Sequence, residues 1–166
     1  QNEVKVQKGD RIAIQMPNCL QYPIVLIGAL KAGCIVVNTN PLYTPREMEH
    51  QFIDAEVKAI VIIANFASSL EEVLPKTKIE HIIVTELGDL LGGVKGKLVN
   101  FVVKHVKKMV PAYNLPTAKK FKDVMKKGVR LKYTKPSIKS SDTAFLQYTG
   151  GTTGVSKGAT LSHGNV

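Results

Sequence analysis

Four short runs of aliphatic and β-branched residues, RIAIQM (11–16), CIVVNT (34–39), KAIVII (58–63) and HIIVT (81–85), alternate with stretches of helical character. This alternation constrains the fold more than any other feature of the chain. Apolar runs of strand length, separated by helices, are the mark of a mostly parallel sheet covered on its faces. Between the first two runs, LQYPIVLIGALKAG (20–33) reads as an apolar helix, with Pro23 in or near its first turn and Gly33 as its C-terminal stop. The next helix is announced more strongly. Thr44 is a good N-cap, Pro45 suits the first helical position and Glu47 stands where a capping box needs it, which predicts a helix over 45–54. Asn65 reads as the cap of a short helix through Leu74, ended by Pro75. The expected fold class is α/β, a mostly parallel sheet flanked by helices.

The rhythm breaks over 86–139. LVNFVVKHVKKMV (98–110) is amphipathic and basic, and LPTAKKFKDVMKKG (115–128) reads as a second basic helix, capped by Thr117 and stopped by Gly128. YTKPSIKSSD (133–142) reads as a loop. Strand character returns in TAFLQYT (143–149) and GATLS (158–162), and HGNV reads as the start of a helix with Asn165 as its cap. The expected organisation is thus an alternating part (1–94), a basic insertion (95–139) and a terminal hairpin (140–166).

Charge follows the same division. Residues 1–94 carry 8 Lys/Arg against 11 Asp/Glu, residues 95–139 carry 14 Lys/Arg against the single Asp123, and residues 140–166 balance. One segment therefore makes the whole chain basic, at +10, and its partner should be anionic. Nucleic acid is disfavoured, because no known nucleic-acid module is present and Phe101, Tyr113, Phe121 and Tyr133 are sparse. Leu98, Val102, Val106, Met109 and Val110 can share one helical face, with Lys97, Lys104, Lys107 and Lys108 elsewhere. That is the pattern of an interfacial helix on an anionic membrane, and equally of a helix packed on its own domain. Cys19 and Cys34 form no disulfide framework and no zinc spacing. The apolar runs are too short to cross a bilayer. A cytoplasmic chain, peripheral on the inner face of the membrane if the basic segment binds there, is the expectation.

The chemistry concentrates in YTGGTTGVSKG (148–158). Glycines let backbone N–H groups point at a ligand without a Cβ in the way, Thr and Ser add hydroxyl donors, and a lysine adds a mobile charge. Together these suit a polyphosphate. The stretch is not a Walker A loop, because Val155 and Ser156 separate Gly154 from Lys157 and the lysine is followed by a strand. His163, Tyr43, Arg46 and His50 are weaker candidates, read as structural or solvated side chains.

LQYTGGTTGVSKGATLSHGN resembles the AMP-binding signature of the adenylate-forming superfamily, which holds acyl-CoA synthetases, luciferases and peptide-synthetase adenylation domains. GALKAGCIVVNTNPLYTPREMEHQF is similar to the stretch upstream of that signature in acyl-CoA synthetases, and LVNFVVKHVKKMVPAYNLP to bacterial long-chain fatty-acid–CoA ligases. Where many members have proline before the lysine, Ser156 stands here. The resemblance implies the phosphate end of a large N-terminal AMP-binding domain. Its aromatic-Gly-x-Thr-Glu segment, ribose-binding Asp, hinge and C-terminal lysine are not among these 166 residues, so the stretch by itself is expected to be inactive. It implies ATP, Mg²⁺ and coenzyme A, and a long-chain fatty acid as substrate. It implies nucleotide contacts from Tyr148, Thr149, Gly150, Gly151, Thr152, Thr153, Gly154, Val155, Ser156, Lys157 and Gly158. Of these, Lys157, Thr152 and Thr153 would carry the largest catalytic effects, and Thr149 would reach the metal. The alternatives are a relative acting on another acid or stopping at the acyl-adenylate, and a non-catalytic basic module that binds membrane. A sheet edge left open where further chain belongs would invite pairing into a dimer.

Overall fold

The computed structural model describes residues 5–149 and 157–166. Seven strands form one sheet in the order β5-β4-β3-β1-β2-β6-β7. They are β1 (Arg11–Gln15), β2 (Ile35–Asn38), β3 (Ala59–Ile63), β4 (His81–Thr85), β5 (Lys119–Lys120), β6 (Thr143–Thr149) and β7 (Lys157–Ser162). Every adjacent pair from β5 to β6 is parallel, and only β7 runs antiparallel, against β6. The α/β expectation is met.

The helices are α1 (Gln21–Lys31), α2 (Pro45–Asp54), α3 (Ala67–Val73), α4 (Gly93–Phe101) and α5 (Phe121–Gly128). Successive strand residues point to opposite faces, so each strand feeds two cores. On one face Ala13, Val37, Ile60 and Ile62 pack with Met48 and Phe52 of α2 and Leu70 of α3. On the other, Ile12, Ile14, Val36 and Val61 pack with Ala29 of α1 and Phe121 of α5. Right-handed crossovers require this split, since β1 leads to β2 in one direction and β2 leads back past β1 to β3 in the other. Between α1 and α5 this second face keeps an apolar groove of about 450 Å³. Cys34 is fully buried, and burial, with the negative charge of Asp10, pushes its thiol up to about 11. It is an inert core residue.

The Thr44 capping box forms as the sequence predicts. The Thr44 hydroxyl accepts the Glu47 N–H, and the Glu47 carboxylate accepts the Thr44 N–H at 2.8 Å. Gly33 adopts φ +73 just beyond α1, as a helix stop requires. Other expectations are corrected. Asn65 does not cap a helix. It lies inside a 3-10 turn (Ala64–Phe66) and its side-chain amide donates to the Met109 carbonyl. Pro75 does not end α3 but sits in a second 3-10 turn (Leu74–Lys76) that continues it. Thr117 caps nothing, because Lys119 and Lys120 are drawn into pairing with Ile83 and Val84, and α5 begins only at Phe121. The end of that helix is as expected, since α5 stops at Gly128, with Val129 at the C-cap. The Asn165 side-chain oxygen accepts the Ser162 N–H and hydroxyl.

The single helix expected over 98–110 is also corrected. The α-helix starts at Gly93, ends at Phe101 and loosens into one π-helical turn (Val102–Val106). Its start is fixed by a glycine contact. Gly88 and Gly96 approach so closely that a Cβ on either would lie 2.4 Å from the other's carbonyl oxygen. Asn100 completes the latch. Its Oδ1 accepts the Gly88 N–H at 2.7 Å and its Nδ2 donates to Glu86 at 2.8 Å.

Candidate functional site

Five long parallel strands, β4, β3, β1, β2 and β6, all end at one edge of the sheet. That carboxyl edge is where open α/β sheets bind ligands, next to strands whose connections leave to opposite faces. Here β1 leaves through α1 and its neighbour β2 through α2. β6 lies beside β2 and ends at the same edge, where the glycine-rich stretch follows it in sequence. The ladder between β6 and β7 closes with Thr149 opposite Lys157, preceded by Tyr148 opposite Gly158. The two residues that flank the loop are therefore pinned as a pair. Gly150, Gly151, Thr152, Thr153, Gly154, Val155 and Ser156 lie outside the described residues.

Two side chains that end β6 are committed in opposite directions. Tyr148 is buried, at 7% exposure, among the residues of the α2 face. Its hydroxyl donates a short hydrogen bond to Asp54 Oδ2 at the end of α2. Burial first, then this contact with a carboxylate, pushes the phenol well above its ordinary range. It stays neutral. The ring also explains Gly158. A Cβ there would stand 3.0 Å from the Tyr148 ring carbons. Gln147 is held on the opposite side. Asn38 Nδ2 donates to Gln147 Oε1 at 3.0 Å, and the Tyr22 hydroxyl of α1 donates to Asn38 Oδ1 at 2.9 Å. The Asn38 carbonyl accepts from the buried Gln51 side chain of α2 at 3.0 Å. Sequence reasoning did not single out Tyr22, Asn38, Asp54 or Gln147. One signal was available for Asp54. An acidic residue in the last turn of a helix opposes the helix dipole, and α2 has no basic residue there.

The weaker candidates do not converge on this edge. Tyr43 packs against the core of the α2 face. Arg46, Glu49, His50, Ile53 and Asp54 line one shallow surface of α2. His163 is half-buried and its backbone N–H donates to the Asp142 carbonyl at 2.9 Å. The Asp142 carboxylate accepts the Lys139 N–H and pairs with Lys8 at 2.7 Å, and both hold it below the usual carboxylate range. These contacts anchor the start of β6 rather than its end. Among the described residues no cluster of three His, Cys, Asp or Glu side chains could hold a metal.

The basic segment is only partly folded onto the sheet. Leu98, Phe101, Val106 and Met109 are each more than half exposed, whereas Val110 and Leu115 pack against the α2-face core. Lys108 takes φ 51, two residues before the chain turns inward at Val110. The expected single apolar face therefore divides: its first part faces outward and its last residues go inward. Among the described residues no helix is long and apolar enough to cross a membrane.

Residues 2–166 match the model of the AMP-binding enzyme family. The chain is 59% identical over its full length to a long-chain-fatty-acid–CoA ligase of Yersinia pestis, and 58% identical to that of Haemophilus influenzae. It spans 30% of the length of each of these curated relatives. Among solved structures, an anthranilate–CoA ligase in complex with anthranoyl-AMP superposes with a TM-score of 0.74 at 19% identity, covering 98% of this chain and 26% of that one. At that identity the likeness is one of fold.

Proposed function

The chain belongs to the AMP-binding enzyme family, and from that premise we propose that it is the phosphate-binding part of an N-terminal domain in an ATP-dependent long-chain fatty-acid–CoA ligase. The reaction has two halves. The fatty-acid carboxylate attacks the α-phosphate of ATP and displaces pyrophosphate, giving an acyl-adenylate. The coenzyme A thiol then attacks the acyl carbonyl and displaces AMP, giving the thioester. In the first half negative charge accumulates on the departing pyrophosphate, and fixed donors around it lower the barrier. The backbone N–H groups of Gly150, Gly151 and Gly154, the hydroxyls of Thr152, Thr153 and Ser156, and the Lys157 ammonium are that donor set. Mg²⁺ fits as a companion of the nucleotide rather than a resident ion, since it favours phosphate oxygens and water and Thr149 offers one neutral oxygen.

The observation that carries this reading is where β6 ends: at the carboxyl edge of a parallel sheet, with Thr149 paired to Lys157 and a Gly/Thr/Ser-rich stretch joining them in sequence. In the full-length enzyme Lys157→Ala should slow acid-dependent pyrophosphate exchange far more than it weakens fatty-acid binding. Unchanged exchange would remove the loop from the reaction.

The exposed apolar residues of 94–109, interleaved with lysines, favour a second, compatible role at an anionic membrane surface. Such a surface would bring the enzyme to a substrate that partitions into lipid. Co-sedimentation with anionic but not neutral vesicles is expected, and absence from both pellets would end this assignment.

A further inference from the structure

Tyr148 and Gln147 are the last two residues of β6 before the Thr149–Lys157 pair, and each is tied to a helix on a different face of the sheet. On the α2 face the Tyr148 hydroxyl donates to Asp54. On the α1 face Gln147 accepts from Asn38, whose own side chain accepts from Tyr22. β6 needs such support. Its outer neighbour is β7, which follows it through the loop itself and cannot serve as an independent anchor. Among the described residues, β2 alone pairs β6 to the rest of the sheet, through three residue pairs.

We propose that Asp54–Tyr148 and Tyr22–Asn38–Gln147 form a two-sided clamp that fixes where and in which direction the chain enters the phosphate loop. Tyr22, Asn38 and Asp54 are positioning residues. They act on nucleotide through β6 and touch no substrate. The chemistry of the clamp fits a static role, because a tyrosine hydroxyl on a carboxylate is a neutral-to-charged hydrogen bond, made here from a buried ring to a carboxylate at the surface end of α2. The inference rests on the loop binding nucleotide phosphates, as proposed above.

The test uses the full-length enzyme and two readouts, equilibrium ATP binding and steady-state kinetics. Tyr148→Phe removes one oxygen, and Asp54→Ala removes its partner. Each should weaken ATP binding and raise the KM for ATP by about threefold to tenfold, part of the worth of a hydrogen bond to a charged group because the bond acts on nucleotide only through β6, with the KM for fatty acid unchanged. The double variant should be no worse than either single one, because both remove the same contact. Asp54→Asn keeps an acceptor oxygen and should fall between wild type and Asp54→Ala. Asn38→Ala, on the other face, should compound with Tyr148→Phe. The clamp is refuted if Tyr148→Phe and Asp54→Ala bind ATP as wild type does, if both KM values shift together, or if the double variant simply multiplies the single effects. A wild-type enzyme that fails to bind ATP would instead refute the phosphate loop itself.

Discussion

The close approach of Gly88 and Gly96 sets up a sharp test. Gly96 lies inside α4, where alanine is ordinarily favoured over glycine by about 1 kcal/mol. Helix propensity alone therefore predicts that Gly96→Ala stabilises. The structure predicts the reverse. The new Cβ would stand 2.4 Å from the Gly88 carbonyl oxygen, and real Cβ atoms essentially never come nearer than 3.0 Å to such an atom. The obstacle is backbone, so no side chain can swing aside. The two segments must part by at least about 0.6 Å, and overpacking of this kind costs roughly 1–3 kcal/mol. Parting them also stretches the 2.7 Å hydrogen bond from the Gly88 N–H to Asn100, whose loss adds about 1 kcal/mol. After the propensity gain, a net loss of about 1–3 kcal/mol remains, or about 3–10 °C in melting temperature for a domain of this size. Thermal denaturation of Gly96→Ala beside Gly128→Ala decides the matter. Gly128 ends α5 with nothing within 4 Å of its would-be Cβ, so alanine there should be neutral or slightly stabilising. A Gly96→Ala protein as stable as wild type would refute the close-contact argument.

Thr44→Ala removes the N-cap of α2 and should cost about 1 kcal/mol, read as a lower urea midpoint with an unchanged slope. Phe52→Ala opens a cavity beneath α2 at a residue 1% exposed, and should cost about 3–5 kcal/mol by the same measurement. His81 supplies a pH test. Burial first, then the charges of Lys119 and Lys58, hold its pKa below the ordinary histidine value, despite the opposing charge of Glu80. The folded state therefore binds this proton less readily than the unfolded state. Its contribution is intact above about pH 6.5 and is lost as pH falls through the depressed folded pKa. Melting curves from pH 7.5 to pH 5 should show a decline that His81→Gln flattens, and an equal decline in both would exclude His81 as its source.

How far the fold could be read ahead depended on whether a segment's signal was local. The Thr44–Glu47 box and the Gly33 stop are decided within one turn of chain, and both formed as written. β1 to β4 were legible because strands buried on both faces leave no polar alternation. Asn65 and Thr117 look like caps by the same local rules, yet each was claimed by something distant. Met109 takes the Asn65 amide, and β4 takes the residues after Thr117 into its ladder. The start of α4 was missed for a related reason. GVKGK has low helical propensity, and the contact that makes glycine necessary there comes from Gly88, on the turn after β4.

The candidate site divides along the same line. Its proposed chemistry is local in sequence, since composition alone points to the glycines, hydroxyls and Lys157 as a set suited to phosphate. Its support is not. Asp54 is separated from Tyr148 by 94 positions and Asn38 from Gln147 by 109. Nothing in a linear reading joins them, because the parallel order that sets β6 beside β2 depends on a crossover from the far edge of the sheet. A loop rich in glycine has little conformational preference of its own, so the precision a phosphate site needs must come from its ends. The two faces of the sheet supply it. α2 holds Tyr148, and α1 holds Gln147 through Asn38. If the stretch binds nucleotide as proposed, substitutions at Asp54 in α2 and Asn38 in β2 should impair that binding while every residue of 149–157 stays intact.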